Sequence, residues 1–171
     1  MRLQNNITQK RLQELLSYDP ETGLFINLTQ RSSRAKKGST TGCKRQDGYI
    51  HIKLDYKLYF AHRLAWLYVH GNFPEKDIDH INEIKGDNRL VNLRLATNQE
   101  NMHNISSPQI NNTSGFLGVS WDKNAQKWRA RIIINKKYKH LGYFNTAEEA
   151  YEAYLKAKRE LHPFWVEEKV A

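Results

Sequence analysis

The sequence predicts an α+β protein built of two modules in tandem over 171 residues. Three observations predict it. Alternating apolar positions at 49–60 and again at 118–144 mark strands of half-buried sheets. Two capping boxes, Thr97-Asn98-Gln99-Glu100 and Thr146-Ala147-Glu148-Glu149, open helices after those strand regions. The Ser-, Asn- and Gln-rich run Ile105–Ser114 separates the two patterns as a linker.

In chain order, Thr8–Leu16 reads as a short helix with Leu12, Leu15 and Leu16 on one face. Tyr18–Gly23 is a turn by its Asp-Pro and Gly content, and Leu24–Leu28 a strand. Arg31–Arg45 is basic and aperiodic, hence a loop, with Arg31, Arg34, Lys36, Lys37, Lys44 and Arg45 suited to phosphate contact. Tyr49–Leu54 and Lys57–Phe60 pair through Asp55-Tyr56 as a hairpin. Ala61–Val69 is an apolar helix that carries Trp66 and Tyr68 at core spacing and is closed by Gly71 and Pro74. Asp77–Leu95 is strand, long turn, strand, with Gly86, Asp87 and Asn88 supplying the turn. Asn101 then falls in the first turns of the helix that Thr97 caps. Beyond the linker come strands at Gly118–Asp122, Trp128–Asn135 and Tyr138–Phe144. The last helix runs to about Leu161, with Ala150, Ala153, Tyr154 and Ala157 as a small-residue face. The predicted organisation is a basic N-terminal region 1–60, a central domain 61–104, a linker 105–114 and a C-terminal domain 115–171.

The net charge is +9 and the pI about 9.6, which points to a polyanionic partner, most often nucleic acid. The charge is unevenly spread. Residues 1–60 hold 11 Lys/Arg against 5 acids, residues 61–105 hold 5 against 6, and residues 106–171 hold 11 against 7. A near-neutral centre between basic flanks separates metal-binding oxygens from cations that grip phosphate. Mean hydropathy is -0.78, and no apolar run approaches the ~20 residues of a membrane helix. Met1–Asn6 lacks a signal-peptide core, so the expectation is a cytoplasmic, non-secreted protein with no membrane partner. Cys43 is the single cysteine, which excludes an intrachain disulfide and a multi-thiolate zinc site.

The central segment carries the chemistry. Cleaving a phosphodiester needs a nucleophilic water, charge stabilisation and a stabilised leaving oxygen. Asp79 and Asn101 offer the hard oxygens that a Mg²⁺-type ion prefers. His80 offers a base that titrates near neutrality. Neighbours in a strand point to opposite faces, so His80 and Asp79 can act from opposite sides of the reacting phosphate. Asn92 can fix the histidine ring or the hairpin. Arg63 and Arg94 are candidates for phosphate contact.

Residues 62–104, through Asp79-His80, Asn88-Arg89-Leu90, Asn92-Leu93-Arg94 and Asn101, resemble the HNH nucleases of ββα-metal fold in the form found in phage homing endonucleases. The resemblance implies that Asp79 and Asn101 bind the metal, that His80 is the general base and that Asn92 stabilises the hairpin. Asn at the last position implies Mg²⁺ or Mn²⁺ in preference to zinc. Residues 115–164, through Ser114–Trp121, Lys127–Ile132 and His140–Ala150, resemble an AP2-type DNA-binding domain. That implies a three-stranded antiparallel sheet packed on one helix, with the sheet set in a DNA major groove. Gly115–Asn145 holds seven Lys/Arg and one acid, and Trp121, Lys123, Arg129, Arg131 and Lys139 are the expected DNA contacts. The chain departs from plant members at Ser120, Asp122, Tyr138 and His140, and at its Leu161–Trp165 end.

The function expected is a metal-dependent, site-selective endonuclease of homing type acting on double-stranded DNA, a monomer on DNA, with a dimer as the alternative, that cuts one strand at a time. A DNA-binding regulator with an inactive nuclease fold and a non-specific nuclease are the alternatives. Removing residues 115–171 should leave the chemistry but lose target selection.

Overall fold

The computed structural model describes residues 7–108 and 110–167; the reading of Met1–Asn6 lies outside them. The chain divides into two compact units, one ending at Thr97 and the other beginning at Asn98.

The first unit opens with helix α1 (Gln9–Leu15), where the Thr8 side chain caps the Arg11 N–H at 3.2 Å. Leu12 and Leu15 face inward. Leu16 has left the helix: Leu16–Tyr18 is a strand, β1, paired antiparallel with β2 (Phe25–Asn27). The loop expected at 31–45 contains two short strands, β3 (Thr40–Thr41) and β4 (Cys43–Lys44). The first joins the sheet β1-β2-β3, and the second edges the sheet β4-β5-β6 with β5 (Ile50–Leu54) and β6 (Lys57–Phe60). Asp55 and Tyr56 both take positive φ, 45° and 64°, as a two-residue hairpin turn requires. Arg31 of the basic run is engaged within the fold. Its guanidinium is turned inward onto the Asn27 Oδ1, the Thr41 Oγ1 and the Lys53 carbonyl, and burial lowers its pKa.

Helix α2 (Ala61–His70) follows β6 without a break and ends at Gly71, in left-handed conformation at φ 83°. Its Leu64, Ala65 and Leu67 enter a core with Leu12, Leu16, Phe25, Ile52, Leu54, Ile78 and Leu93, and Trp66 and Tyr68 pack against that core. Strands β7 (Asp77–His80) and β8 (Leu93–Ala96) then form a two-stranded antiparallel ribbon. A single turn of 3₁₀ helix, Leu90–Asn92, leads into β8.

The N-terminal turn is bound to this ribbon's long connection. The Tyr18 hydroxyl donates to the Asn88 carbonyl at 2.7 Å, and the Leu90 N–H donates to the Pro20 carbonyl at 3.0 Å. Gly23, at φ +72°, lies so close that an added Cβ would come within 2.5 Å of the Arg89 nitrogen. The turn at 18–23 thus braces the central segment as well as preceding it.

The second unit starts with helix α3 (Asn98–Asn104). Strands β9 (Val119–Asp122), β10 (Lys127–Ile134) and β11 (Lys137–Phe144) form an antiparallel sheet of order β11-β10-β9. Helix α4 (Ala147–Leu161) packs on it, and the Thr146–Glu149 capping box is fully formed. Val119, Ala130, Ile132, Ala147, Ala150, Tyr154 and Ala157 fill the space between sheet and helix. Gly118, at φ +77°, sits where a Cβ would meet the Tyr154 ring at 2.2 Å. The α+β architecture, and the three-stranded sheet on one helix, match the sequence reading.

The expected boundary at 114/115 differs from the division at Thr97/Asn98. Within the second unit α3 is tied to the end of α4. His103 and His162 stack with ring centroids 4.0 Å apart and 8° between planes. Lys158, 1% exposed, donates to the Ile105 carbonyl. Gln99 Nε2 donates to Asn135 Oδ1 at 2.9 Å. Among the described residues, no helix is long and apolar enough to cross a membrane.

Candidate nuclease site

The β7–β8 register puts Asp79 opposite Arg94 and His80 opposite Leu93. Alternation along β7 therefore sends Asp79 and His80 to opposite faces, as the sequence predicts. On one face the Asp79 Oδ2 accepts from the Arg94 Nε at 2.9 Å and pairs with Nη2 at 2.9 Å. Arg94 is thus engaged with Asp79 rather than presented to solvent. Arg63 lies over the Phe73 ring at 5.5 Å.

On the other face His80 is buried at 4% exposure in an aromatic nest. His62 meets it edge-on with centroids 5.1 Å apart, and Tyr49 lies 5.9 Å away. Tyr49 in turn contacts Phe60 and His62 at 5.3 and 5.4 Å. Burial lowers the His80 pKa, and a side-chain hydrogen bond with Asn88 works against that shift. Burial, with the charge of His80 second, drives His62 down to about 3. Both imidazoles are therefore neutral at pH 7, and a neutral ring is the form that can accept a proton.

Asn92 is fully buried and spans the long connection. Its Oδ1 accepts from the Asn82 N–H at 2.9 Å, and its Nδ2 donates to the Asp87 carbonyl at 2.9 Å. Its own carbonyl accepts from the Ile81 N–H at 2.9 Å. Of the two roles the sequence leaves open, the side chain clamps the hairpin. Asn88 is the amide beside the His80 ring. Asp87, bound by Arg89 at 2.6 Å and by Asn82 at 2.7 Å, completes the loop. Its pKa is lowered mainly by Arg89.

Asn101 lies on α3, in the second unit. Its Oδ1 is buried and accepts no hydrogen bond among the described residues. Among those residues no group of three or more His, Cys, Asp or Glu side chains could hold a metal ion. A carboxylate oxygen, as on Asp79, and an amide oxygen, as on Asn101, are each hard donors of the kind a Mg²⁺-type ion prefers.

Three features of the site were missed from sequence: Tyr49, His62 as a neighbour of His80, and Asn88 as its amide partner. Tyr49 and His62 approach His80 across 31 and 18 residues of chain, a separation no local pattern reports. Asn88 lay in a matching motif segment and could have been found there.

In the second unit, register sorts the expected DNA contacts onto two faces. Arg129 pairs with Ser120 and Tyr143, and Arg131 with His140. This is the face away from α4, because Ala130 and Ile132 point into the core. Trp121 pairs with Trp128 and Lys139 with Ile132, so both start from the helix side. Asp122 holds Arg129 at 3.2 Å and accepts from the Tyr143 hydroxyl at 3.4 Å, while Arg131 lies 4.4 Å over the Tyr138 ring. Lys123 sits in the exposed β9–β10 turn.

Comparison with known proteins agrees with this layout. Residues 59–103 match the HNH endonuclease family and residues 114–162 the AP2 domain. "Protein 3.8" of Escherichia phage T7 is 34% identical over 108 residues, 63% of this chain and 88% of that protein. The chain belongs to the HNH endonuclease family and carries an AP2 domain. The HNH segment thus spans α2, the β7–β8 ribbon and α3, and includes both Asp79-His80 and Asn101. A solved structure described as "DNA binding and cleavage by the HNH homing endonuclease I-HmuI" aligns at 24% identity and a TM-score of 0.41. It covers 52% of this chain, which spans about half, 49%, of that one.

Proposed function

We propose that this protein is a divalent-metal-dependent DNA endonuclease that selects its cutting site with the AP2 domain, in the manner of a phage homing nuclease. The observation that carries the reading is His80: a neutral, buried imidazole on the opposite face of β7 from Asp79, in a segment matched by the HNH family.

In this reading the His80 imidazole takes a proton from a water, which attacks the phosphorus while the bond to the 3′ oxygen breaks and its electron pair leaves with that oxygen. Asp79 and Asn101 would hold the cation, Mg²⁺ or Mn²⁺, which when bound polarises the phosphate and neutralises charge on the leaving oxygen. Arg94 holds the Asp79 carboxylate in place, and Asn92 keeps the loop that follows His80 in shape. The face bearing Arg129, Arg131, His140 and Tyr143 supplies the surface for a major groove. With one such site per chain, a monomer nicks one strand.

The test is cleavage of long phage or plasmid DNA with Mg²⁺ or Mn²⁺, and mapping of the ends. The expected result is cutting at few sites, blocked by EDTA and lowered by about 10²–10⁴-fold in His80→Ala. EDTA-resistant cutting would sink the metal mechanism. A His80→Ala protein that cuts at the parent rate would remove the base assignment.

A further inference from the structure

We infer that Lys85 is a phosphate-binding residue of the nuclease site, presenting its ammonium to the DNA strand beside the phosphate that His80 serves. This rests on the reading of His80 above.

The segment 61–105 has only five cations: Arg63, Lys76, Lys85, Arg89 and Arg94. Three have assigned positions. Arg63 lies on Phe73, Arg89 is paired with Asp87 and Arg94 with Asp79. Lys76 precedes β7 at the end remote from His80. Lys85 is left, exposed in the connection that follows β7.

Its position is fixed. The ammonium stands 5.0 Å from the centre of the Tyr49 ring, and that ring is the one packed beside His80 at 5.9 Å. The aliphatic stem runs along Gly48, where an added Cβ would lie 3.6 Å from both the Lys85 Cβ and Cδ. The turn at 45–49 therefore holds the stem while the charge faces solvent. Its field reaches the His80 ring. Attack on a phosphodiester builds negative charge on the phosphoryl oxygens, and a cation already in place stabilises that charge without reorganising. An ammonium is a compact point charge that suits phosphate from many angles. A cation held by a ring face, with no carboxylate paired to it among the described residues, can turn to an incoming phosphate at small cost.

The experiment uses the full-length protein with Lys85→Met, which keeps the stem against Gly48 and deletes the charge, and Lys85→Arg, which keeps the charge. Binding is measured against salt in EDTA, and cutting in Mg²⁺. Lys85→Met should cut on the order of 10²-fold more slowly, with an unchanged unfolding midpoint and an unchanged Mg²⁺ midpoint. Its salt slope for binding should be shallower by about 0.9 log unit, one phosphate contact. Lys85→Arg should recover most of the rate and the slope. An unchanged slope in Lys85→Met overturns the inference, whether the rate holds or falls. So does a rate loss that Lys85→Arg does not rescue. His80→Ala run alongside separates the two claims: if it cuts normally, the base assignment fails, while the salt slope still judges Lys85.

Discussion

Replacing Asn92 by Ala removes a clamp that nothing nearby can replace. The side chain is fully buried and joins the two ends of the β7–β8 connection through the Asn82 N–H and the Asp87 carbonyl, each at 2.9 Å. The substitution leaves one buried donor and one buried acceptor unmatched. At about 1–3 kcal/mol for each such group, and with some relaxation, the loss should be about 2–4 kcal/mol. Because the loop carries Asn88 and follows His80 directly, the loss falls on local opening of the ribbon. Hydrogen exchange over residues 77–96 reads this directly: the Ile81 and Asn82 amides should exchange roughly 30- to 1000-fold faster. The urea midpoint of the first unit should fall by about 1–4 M for a slope of about 1–2 kcal/mol/M. Cutting should fall with it. Val91→Ala is the control, since Val91 is 64% exposed and should move stability by less than about 0.5 kcal/mol. If Asn92→Ala exchanges and melts like Val91→Ala, the clamp is not what holds the ribbon.

The remaining predictions concern pH, the module boundary and the groove face. His62 is held to about 3 by burial, below the ordinary histidine value near 6.5. The unfolded chain therefore takes up a proton that the folded one refuses, and stability is lost as pH falls below about 6.5, by roughly 1.4 kcal/mol per unit from this residue alone. Urea melts from pH 7 to 5 should show that slope and His62→Gln should flatten it; a pH-independent midpoint over this range contradicts the burial argument. The His80 shift has the same sign, so kcat/KM should rise with pH through a midpoint below that of free imidazole. Truncation after Ser114 strips α3 of His162, Lys158 and Asn135, and a seven-residue helix does not persist unaided. The truncated protein should therefore lose exchange protection at 98–104 and cutting together, contrary to the expectation that 1–114 suffices; full-rate cutting by it would restore that expectation. Arg129→Ala with Arg131→Ala should weaken DNA binding and flatten its salt dependence by roughly 0.9 log unit per contact, while turnover at saturating DNA changes little. An unchanged salt slope would remove this face from the DNA interface.

Much of the protein was legible because its signals are local. The Asp55-Tyr56 turn, the Thr146–Glu149 capping box and the three C-terminal strands depend on residues within a few positions of each other. So does the opposition of Asp79 and His80, which follows from the two-residue period of any strand. Two local readings were redirected by distant contacts. Leu16 continues an apolar helical face in sequence, yet pairing with Asn27 draws it into a strand. Arg31 belongs to a basic run, yet Asn27, Thr41 and Lys53 together offer its guanidinium enough acceptors to turn it inward.

By itself the sequence determined the α+β class, the two patterns in tandem and the placing of Asp79 and His80 on opposite faces of one strand. Only the tertiary structure decided what surrounds that imidazole. Tyr49, His62, Lys85 and Asn88 gather at His80 because the turn at 45–49, the start of α2 and the β7–β8 connection pack together, and burial there sets the protonation of both histidines. It likewise decided that Lys158 and His162, in the last turn of α4 and just past it, support α3. The physical reason is the same in each case. Strand alternation, capping and turns are fixed by neighbours along the chain, whereas desolvation and side-chain pairing depend on residues that only folding brings into contact.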